Sequence, residues 1–256
     1  MSNTGVKVDV VCQALKGMTN SQIEELDFSR NIITEEQQNV ILEILESFPK
    51  LNIISFSGCN LTPKLTFSIL TSLKKNTNIS NLKLDFSNNN YPMRISAASE
   101  IARGFSDLSI HTLNLSDTKL GTGVSFILKC ICQQIDTLIL NRFTAQSDNS
   151  TISLRQQSDD DLGTTLIEFI ESHHSLRSLS LTGNKGNNIR DISPLLKYLE
   201  WNSTLLDLDL SFQDMGDSQL YDLAMALRKN TTLTGLSMDR NKTTLGGWMV
   251  LAESIC

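Results

Sequence analysis

Apolar residues return along this chain in two alternating rhythms. In the first, Leu, Ile or Phe holds the first, fourth and sixth places of a short stretch, with Asn favoured three places later. In the second, apolar residues recur every three or four positions. The first rhythm fits Leu-x-x-Leu-x-Leu-x-x-Asn eight times, opening at Ile23, Leu51, Ile79, Ile110, Ile135, Leu176, Leu205 and Leu233, at intervals of 28, 28, 31, 25, 41, 29 and 28 residues. The second is clearest in EEQQNVILEILESF (35–48), LTFSILTSLKKN (65–76) and SQLYDLAMALRKN (218–230). Alternation is the mark of a strand and the three-to-four spacing that of a helix, so each unit reads as strand, turn, helix.

Packing explains the template. The first, fourth and sixth positions point inward and stack on their equivalents in the next unit, each buried Leu contributing roughly 1.5 to 3 kcal/mol. A single unit cannot cover its own apolar face, so the units must pile up. Asn suits the ninth place because its amide satisfies backbone groups where the chain leaves the strand. Asn31, Asn184 and Asn241 fit, the small thiol of Cys59 is tolerated, and Phe143 and Gln213 depart. The third match is taken from Ile79, which keeps the 28-residue step, although LKLDFSNNN also reads two residues later. Units near 28 residues with a full helix predict an α/β fold: a leucine-rich-repeat solenoid of the ribonuclease-inhibitor-like kind, a right-handed βα horseshoe with parallel strands concave and helices convex. One domain of about eight repeats is expected over 1–256.

Two features break the repetition. The 41-residue interval holds a polar insertion at 144–161 without a core pattern, expected to be a surface loop. Its last residues, Asp159, Asp160 and Asp161, fit a helix N-terminus better than a cation site. Residues 1–22 read as the helix of a preceding repeat, and the sequence stops at LAESIC inside a final helix with no polar capping repeat, so a piece of a longer protein is expected.

Composition narrows the function. With 22 basic and 28 acidic residues the net charge is −6, which disfavours phosphate backbones and hence nucleic acid. Five cysteines without Cys-x-x-Cys spacing argue against a disulfide framework or zinc site and for reduced thiols in the cytosol. No stretch reaches the ~20 apolar residues of a membrane span, and the N-terminus lacks a signal-peptide pattern. The Asn-x-Ser/Thr triplets read as accidental: Asn114 falls in a strand and Asn241 at the ninth place. The segment TGNKGNN (182–188) lacks the spacing of a phosphate loop. His173 and His174 are adjacent at a helix end, where neighbouring side chains diverge, so both read as structural. No catalytic residue, cofactor or metal is expected.

What remains is a surface. Positions two, three, five and seven of the strands face away from the core and carry Glu24, Glu25, Asp27, Asp85, Asp136, Asp207, Asp209 and Asp239 against Lys83 and Arg177, with His111 among them. An acidic concave face predicts a protein partner offering a basic segment, held less tightly as salt rises.

The last third of the chain carries a closer likeness. SLRSLSLTGN, LLDLDLSFQDMGDSQLYDLAMALRKN and TTLTGLSMDRNKTTLGGWMVLAESI, with Met215-Gly216-Asp217 before a helix, Asn230-Thr231-Thr232-Leu233 after it and Asp239-Arg240-Asn241 at the next turn, resemble the CARMIL family, linkers of capping protein, the Arp complex and myosin I. Met238 stands where that family commonly has Trp. The likeness is specific over about 175–255 and repeat-level before it. It implies a non-enzymatic scaffold of the actin cytoskeleton, acting in filament organisation and cell migration with actin-regulatory partners, in the cytoplasm and at the cell cortex. The family's lipid-binding front domain, helical dimerisation region and capping-protein-binding tail have no counterpart here, so this segment is not expected to dimerise by itself. Two alternatives stay open. A RanGAP-like GTPase regulator would need an exposed Arg at the horseshoe edge, for which Arg30, Arg142 and Arg240 are the candidates. A ligand-sensing repeat domain of an inhibitor or innate-immune protein would be marked by an attached nucleotide-binding module.

Overall fold

The computed structural model describes residues 8–15, 18, 22–92, 94–143, 162–183, 189 and 191–255. The insertion at 144–161 and Asn184 lie outside them. In chain order the elements are α1 (Val8–Leu15), β1 (Glu25–Asp27), α2 (Glu35–Ser47), β2 (Ile53–Ser55), α3 (Pro63–Lys75), β3 (Leu82–Asp85), α4 (Ile95–Phe105), β4 (Ile110–Asn114), α5 (Val124–Leu128), β5 (Thr137–Ile139), α6 (Leu162–Ser172), β6 (Ser178–Ser180), α7 (Ser193–Tyr198), β7 (Asp207–Asp209), α8 (Asp217–Leu227), β8 (Gly235–Ser237) and α9 (Leu245–Ile255). The eight strands form one all-parallel sheet in sequence order, every adjacent pair joined through a helix or its flanking turns. This is the leucine-rich-repeat solenoid, with strands on the concave side and helices on the convex side.

The fourth template position builds a column through the sheet. Leu26, Ile54, Leu84, Leu113, Leu138, Leu179, Leu208 and Leu236 stand in direct register, one to a strand. Beside it the sixth position supplies Phe28, Phe56, Phe86, Leu115, Leu140, Leu181 and Leu210, all buried. The three rings stack, with centroids 5.0 Å apart for Phe28 and Phe56 and 6.0 Å for Phe56 and Phe86, and Phe105 of α4 meets Phe86 edge-on. From the fourth repeat on, aliphatic side chains replace the rings.

The third repeat needs a correction. Ile54 pairs with Leu84 and Leu84 with Leu113, so Leu84 and Phe86, not Leu82 and Leu84, hold the fourth and sixth places, and the repeat opens at 81 instead of Ile79. The 28-residue step drew the expectation to Ile79, which only packs against the edge of the core. A register shift between Leu82 and Lys83 lets buried Leu82 pair with Ile110 and fill the first inward place that Asn81, in left-handed backbone at φ 58°, cannot.

Seven of the eight strands end in the same turn. Arg30, Gly58, Asn88, Asp117, Arg142, Phe212 and Arg240, all at the eighth template place, adopt φ between 51° and 67°. In that conformation the amide of Arg30 donates to Ser57 O, Gly58 to Ser87 O, Asn88 to Ser116 O, Asp117 to Asn141 O, Arg142 to Thr182 O and Phe212 to Asp239 O, so the ladder outruns the strands. The strain of a non-Gly residue there is offset by a backbone bond that would otherwise be missing.

The ninth place closes the turn. Asn89 is fully buried and donates to Phe56 O and Phe86 O at 2.9 Å each, while its Oδ1 accepts from Leu61 N at 3.0 Å. Asn31 and Asn241 repeat the pattern, Thr118 donates to Leu115 O, and the Cys59 thiol donates to Phe28 O at 3.0 Å. Burial pushes the Cys59 thiol up to about 11, so it stays protonated and able to donate. Gln213 does not break the ladder after all: its longer side chain donates to Leu181 O and accepts from Ile189 N. Phe143 does break it, being buried with no polar side-chain atom, at the place where the 144–161 insertion begins.

Helix packing is equally close. A Cβ at Gly123, which leads into α5 at an ordinary helical φ of −62°, would lie 2.6 Å from the buried Cβ of Ala98 on α4. Gly→Ala is stabilising where there is room, because the unfolded chain loses freedom. Here overlap with a methyl that cannot swing away dominates, and Gly123→Ala is expected to cost about 1 to 3 kcal/mol in urea unfolding.

Candidate protein-binding face

Register places the surface side chains in rows. The third template position reads Glu25, Ile53, Lys83, Thr112, Thr137, Ser178, Asp207, Gly235 across the sheet, and the fifth reads Asp27, Ser55, Asp85, Asn114, Ile139, Ser180, Asp209, Ser237. The acids therefore do not cover the face evenly. One group, Glu24, Glu25 and Asp27 with Asp85 two strands away, lies at the β1 end; the other, Asp207, Asp209 and Asp239, lies at the β7–β8 end. In the third and fifth rows β4 to β6 present hydroxyls, an amide and Ile139. Six strand steps of about 4.8 Å separate β1 from β7, roughly 29 Å along the sheet, well beyond the screening length of physiological salt.

The sequence-predicted residues differ in how much they are already engaged. Glu24, Glu25, Asp27, Asp207 and Asp239 are exposed, whereas Asp85, His111, Asp136, Arg177 and Asp209 are half-buried. Asp27, Asp85 and Asp209 each accept from the backbone N–H two residues on, at 2.8, 2.8 and 2.9 Å, tying the strand end into its turn; Asn114 does the same without a charge. Asp136 accepts from the Thr137 hydroxyl. Arg177 donates to His174 O at 2.9 Å and Thr204 O at 3.3 Å, so its guanidinium bridges helix-to-strand loops. His111 Nδ1 lies 3.2 Å from Thr112 Oγ1. Glu24 and Glu25 at one end and Asp207 at the other are the least committed acids, and Asp207 stands open because its neighbour across the strand is Gly235, where a Cβ would fall 2.0 Å from Asp207 Oδ1.

Burial raises the Asp209 carboxyl, but hydrogen bonds from Thr182, Ser211 and Ser180 outweigh it and hold the group below the usual carboxylate range. A carboxyl depressed in the folded state stabilises the fold above its unfolded value of about 3.9 and ceases to do so as pH falls through the lower folded value. Asp209→Asn is therefore expected to be less stable than the parent at neutral pH in urea unfolding, and the gap should narrow as pH falls below the usual carboxylate range.

A second ladder, which the strand template does not contain, runs along the helix-to-strand side. Where each helix hands over to the next strand, five places before the opening of the third repeat and three before that of the eighth, Asn76 donates to Leu45 O and Phe48 O, and Asn230 donates to Leu199 O and Asn202 O while accepting from Thr232 N and Leu233 N. Asn202 accepts from Thr204 N and Leu205 N. The triplets that resemble glycosylation sites at Asn202 and Asn230 are thus rungs, with the following Ser or Thr in the loop. His173 occupies the same place in its repeat and is buried.

No family model matches the chain. Protein CARMIL of Dictyostelium discoideum is 27% identical over 255 residues, covering 97% of this chain and 23% of that protein. The mouse protein named capping protein, Arp2/3 and myosin-I linker protein 3 is 23% identical over the whole chain and 18% of its own length. The chain is CARMIL-like over nearly its full length. The likeness thus extends well beyond residues 175–255. The Rho GTPase-activating protein gacW of Dictyostelium discoideum is 28% identical over 87% of this chain and 17% of its own length. Among solved structures, an internalin of Listeria monocytogenes superposes at a TM-score of 0.51 with 15% identity, covering 94% of this chain and 68% of the internalin, which speaks for the fold alone. The chain spans about a fifth of the length of its curated relatives. Together the fold and these relatives mark a protein-interaction repeat domain.

For a CARMIL-like repeat domain the rim arginines matter, because they separate scaffold from GTPase regulator. Arg142 pairs through Nε and Nη2 with the Asp117 carboxylate, and that bond keeps its guanidinium still more firmly protonated. Arg240 lies over the Phe212 ring, 5.3 Å from its centroid. Both pairs join eighth-place residues of adjacent repeats, so these two arginines lace the turns together. Arg30 is exposed beside Gly58. Among the described residues no group of three or more His, Cys, Asp or Glu could hold a metal ion, and no helix is long and apolar enough to cross a membrane.

Proposed function

We propose that this chain is the non-enzymatic leucine-rich-repeat segment of a CARMIL-like regulator of actin filament capping and assembly, a cytoplasmic and cortical scaffold. Its strand face holds a partner protein whose basic residues are set against the acids at either end, with third and fifth rows that carry no charge over β4 to β6. The observation that carries the reading is the CARMIL likeness along 97% of a chain whose regular surface is a single strand face. A pull-down from cytosol probed for actin regulators tests it. Recovery of such proteins at about 50 mM salt and its steep loss at about 500 mM are expected, because exposed charges are screened over a few ångströms at high salt. Replacing Glu24 and Glu25 by Gln should weaken recovery at low salt without lowering thermal stability. Recovery indifferent to salt and to these substitutions would remove the strand face from the proposal.

The gacW likeness favours one other reading, a GTPase-regulating repeat domain. Most of gacW lies outside the matched region, and two of the three rim arginines here are engaged by neighbouring repeats. GTP hydrolysis by small GTPases is expected to be unchanged on adding the chain; an acceleration lost in Arg30→Ala would support the regulator instead.

A further inference from the structure

The helix-to-strand ladder changes its chemistry at one rung. Asn76 and Asn230 use a side-chain NH2, a donor of two hydrogens, to bind two carbonyl oxygens of the preceding repeat. In the same place His173 aims both ring nitrogens at carbonyl oxygens: Nδ1 lies 2.7 Å from Phe169 O on its own helix α6, and Nε2 lies 3.2 Å from Ile131 O in the loop after α5. A neutral imidazole has one N–H and would turn a lone pair on one of these oxygens. Ser172 Oγ lies 2.9 Å from Nδ1, but its single proton is also placed to reach Glu168 O at 2.9 Å and Phe169 O at 3.0 Å. Only the doubly protonated ring donates to both carbonyls. The ring also stacks on Phe169 with centroids 3.9 Å apart, a face that favours a cation.

The joint it ties is one where the helical layer is thin. α5 has five residues against eleven in α6, and a cavity of about 290 Å³ lies between them, with Leu128, Lys129, Glu168, Phe169 and His173 in its walls. Among the described residues the charged groups lining this cavity are Glu168 on the helix of His173 and Lys129 after α5, of opposite sign. The half-buried thiols of Cys130 and Cys132 flank Ile131. On the α7 side Tyr198 stands near Glu171, and His174 next in the chain is exposed.

We infer that His173 is a proton-dependent latch between the fourth and fifth repeats, closed when the imidazole carries both protons and loosened when it loses one. The closed joint binds a proton that the open joint holds less well, so raising pH shifts the equilibrium toward opening. The consequence is a joint of the solenoid whose opening answers to pH.

Amide hydrogen exchange over residues 162–176, corrected for the intrinsic rate, tests the latch at about pH 6 and about pH 8. Protection in the parent chain should fall severalfold across that range. In His173→Asn, which restores the rung used at Asn76 and Asn230, protection should stay level across the same range. Equal behaviour of the two chains would overturn the inference. A ring ¹⁵N spectrum of the parent decides the matter even if the variant folds poorly: two protonated nitrogens on His173 at about pH 6 support the latch, and a neutral ring there refutes it.

Discussion

Leu208→Asp is expected to cost about 3 to 5 kcal/mol in denaturant unfolding, which puts it among the most damaging substitutions available in the chain. Leu208 is 2% exposed, with Leu179 and Leu236 in register on either side. Removing the buried side chain forfeits roughly 1.5 to 3 kcal/mol. The carboxyl that replaces it finds only aliphatic neighbours in its column, so it must be buried unpaired or protonated, adding about 1 to 3 kcal/mol. Small domains are stable by only about 5 to 15 kcal/mol, so the repeats around β7 should be largely unfolded at modest denaturant. An unchanged midpoint would mean that Leu208 does not point inward and that the strand register is wrong.

Phe56→Ala is the second large effect, expected at about 3 to 5 kcal/mol. Phe56 is fully buried between Phe28 and Phe86, and its carbonyl accepts from the Asn89 amide, so shrinking the ring loosens both the stack and the ladder rung above it. Because a solenoid repeat touches mainly its neighbours, the damage should be local. Hydrogen exchange is expected to speed up across β1 to β3 and α2 to α4 while β6 to β8 keep their protection. Uniform loss along the chain would show that the repeats unfold as one unit.

How far the fold can be read from the sequence depends on how local its rules are. The inward column is legible because one spacing, repeated eight times, names the same buried place in every unit. The third repeat is misleading because Ile79 and Leu82 both satisfy a hydrophobic rule, and the register shift that selects Leu82 leaves no trace in periodicity. Gln213 looks like an exception when the ladder is defined by the residue Asn; defined by an amide able to reach a carbonyl, it fits. The second ladder could have been found from the recurrence of Asn three places before Leu205 and Leu233, a signal masked by its resemblance to glycosylation triplets. His173 shares the position but not the residue type, so only coordinates reveal it as a rung. The strand-face residues are legible as a set, but their grouping is not: a sum of charges over template positions cannot show that the exposed acids stand at two ends, with only the engaged Asp136 and Arg177 between. Nor could composition show that Arg142 and Arg240 are engaged by Asp117 and Phe212.

The arrangement on which the rest depends is side-by-side parallel pairing of equivalent strand positions. Ser178 on β6 and Asp207 on β7 face the same side in direct register, and neighbouring strands about 4.8 Å apart are within the span of a disulfide. In the stacked solenoid, a chain carrying Ser178→Cys and Asp207→Cys should form an intramolecular cross-link under mild oxidation, whereas Ser178→Cys with Ser237→Cys, two strands apart, should not. Failure of the first pair to link, or equally fast linking of the second, would contradict it.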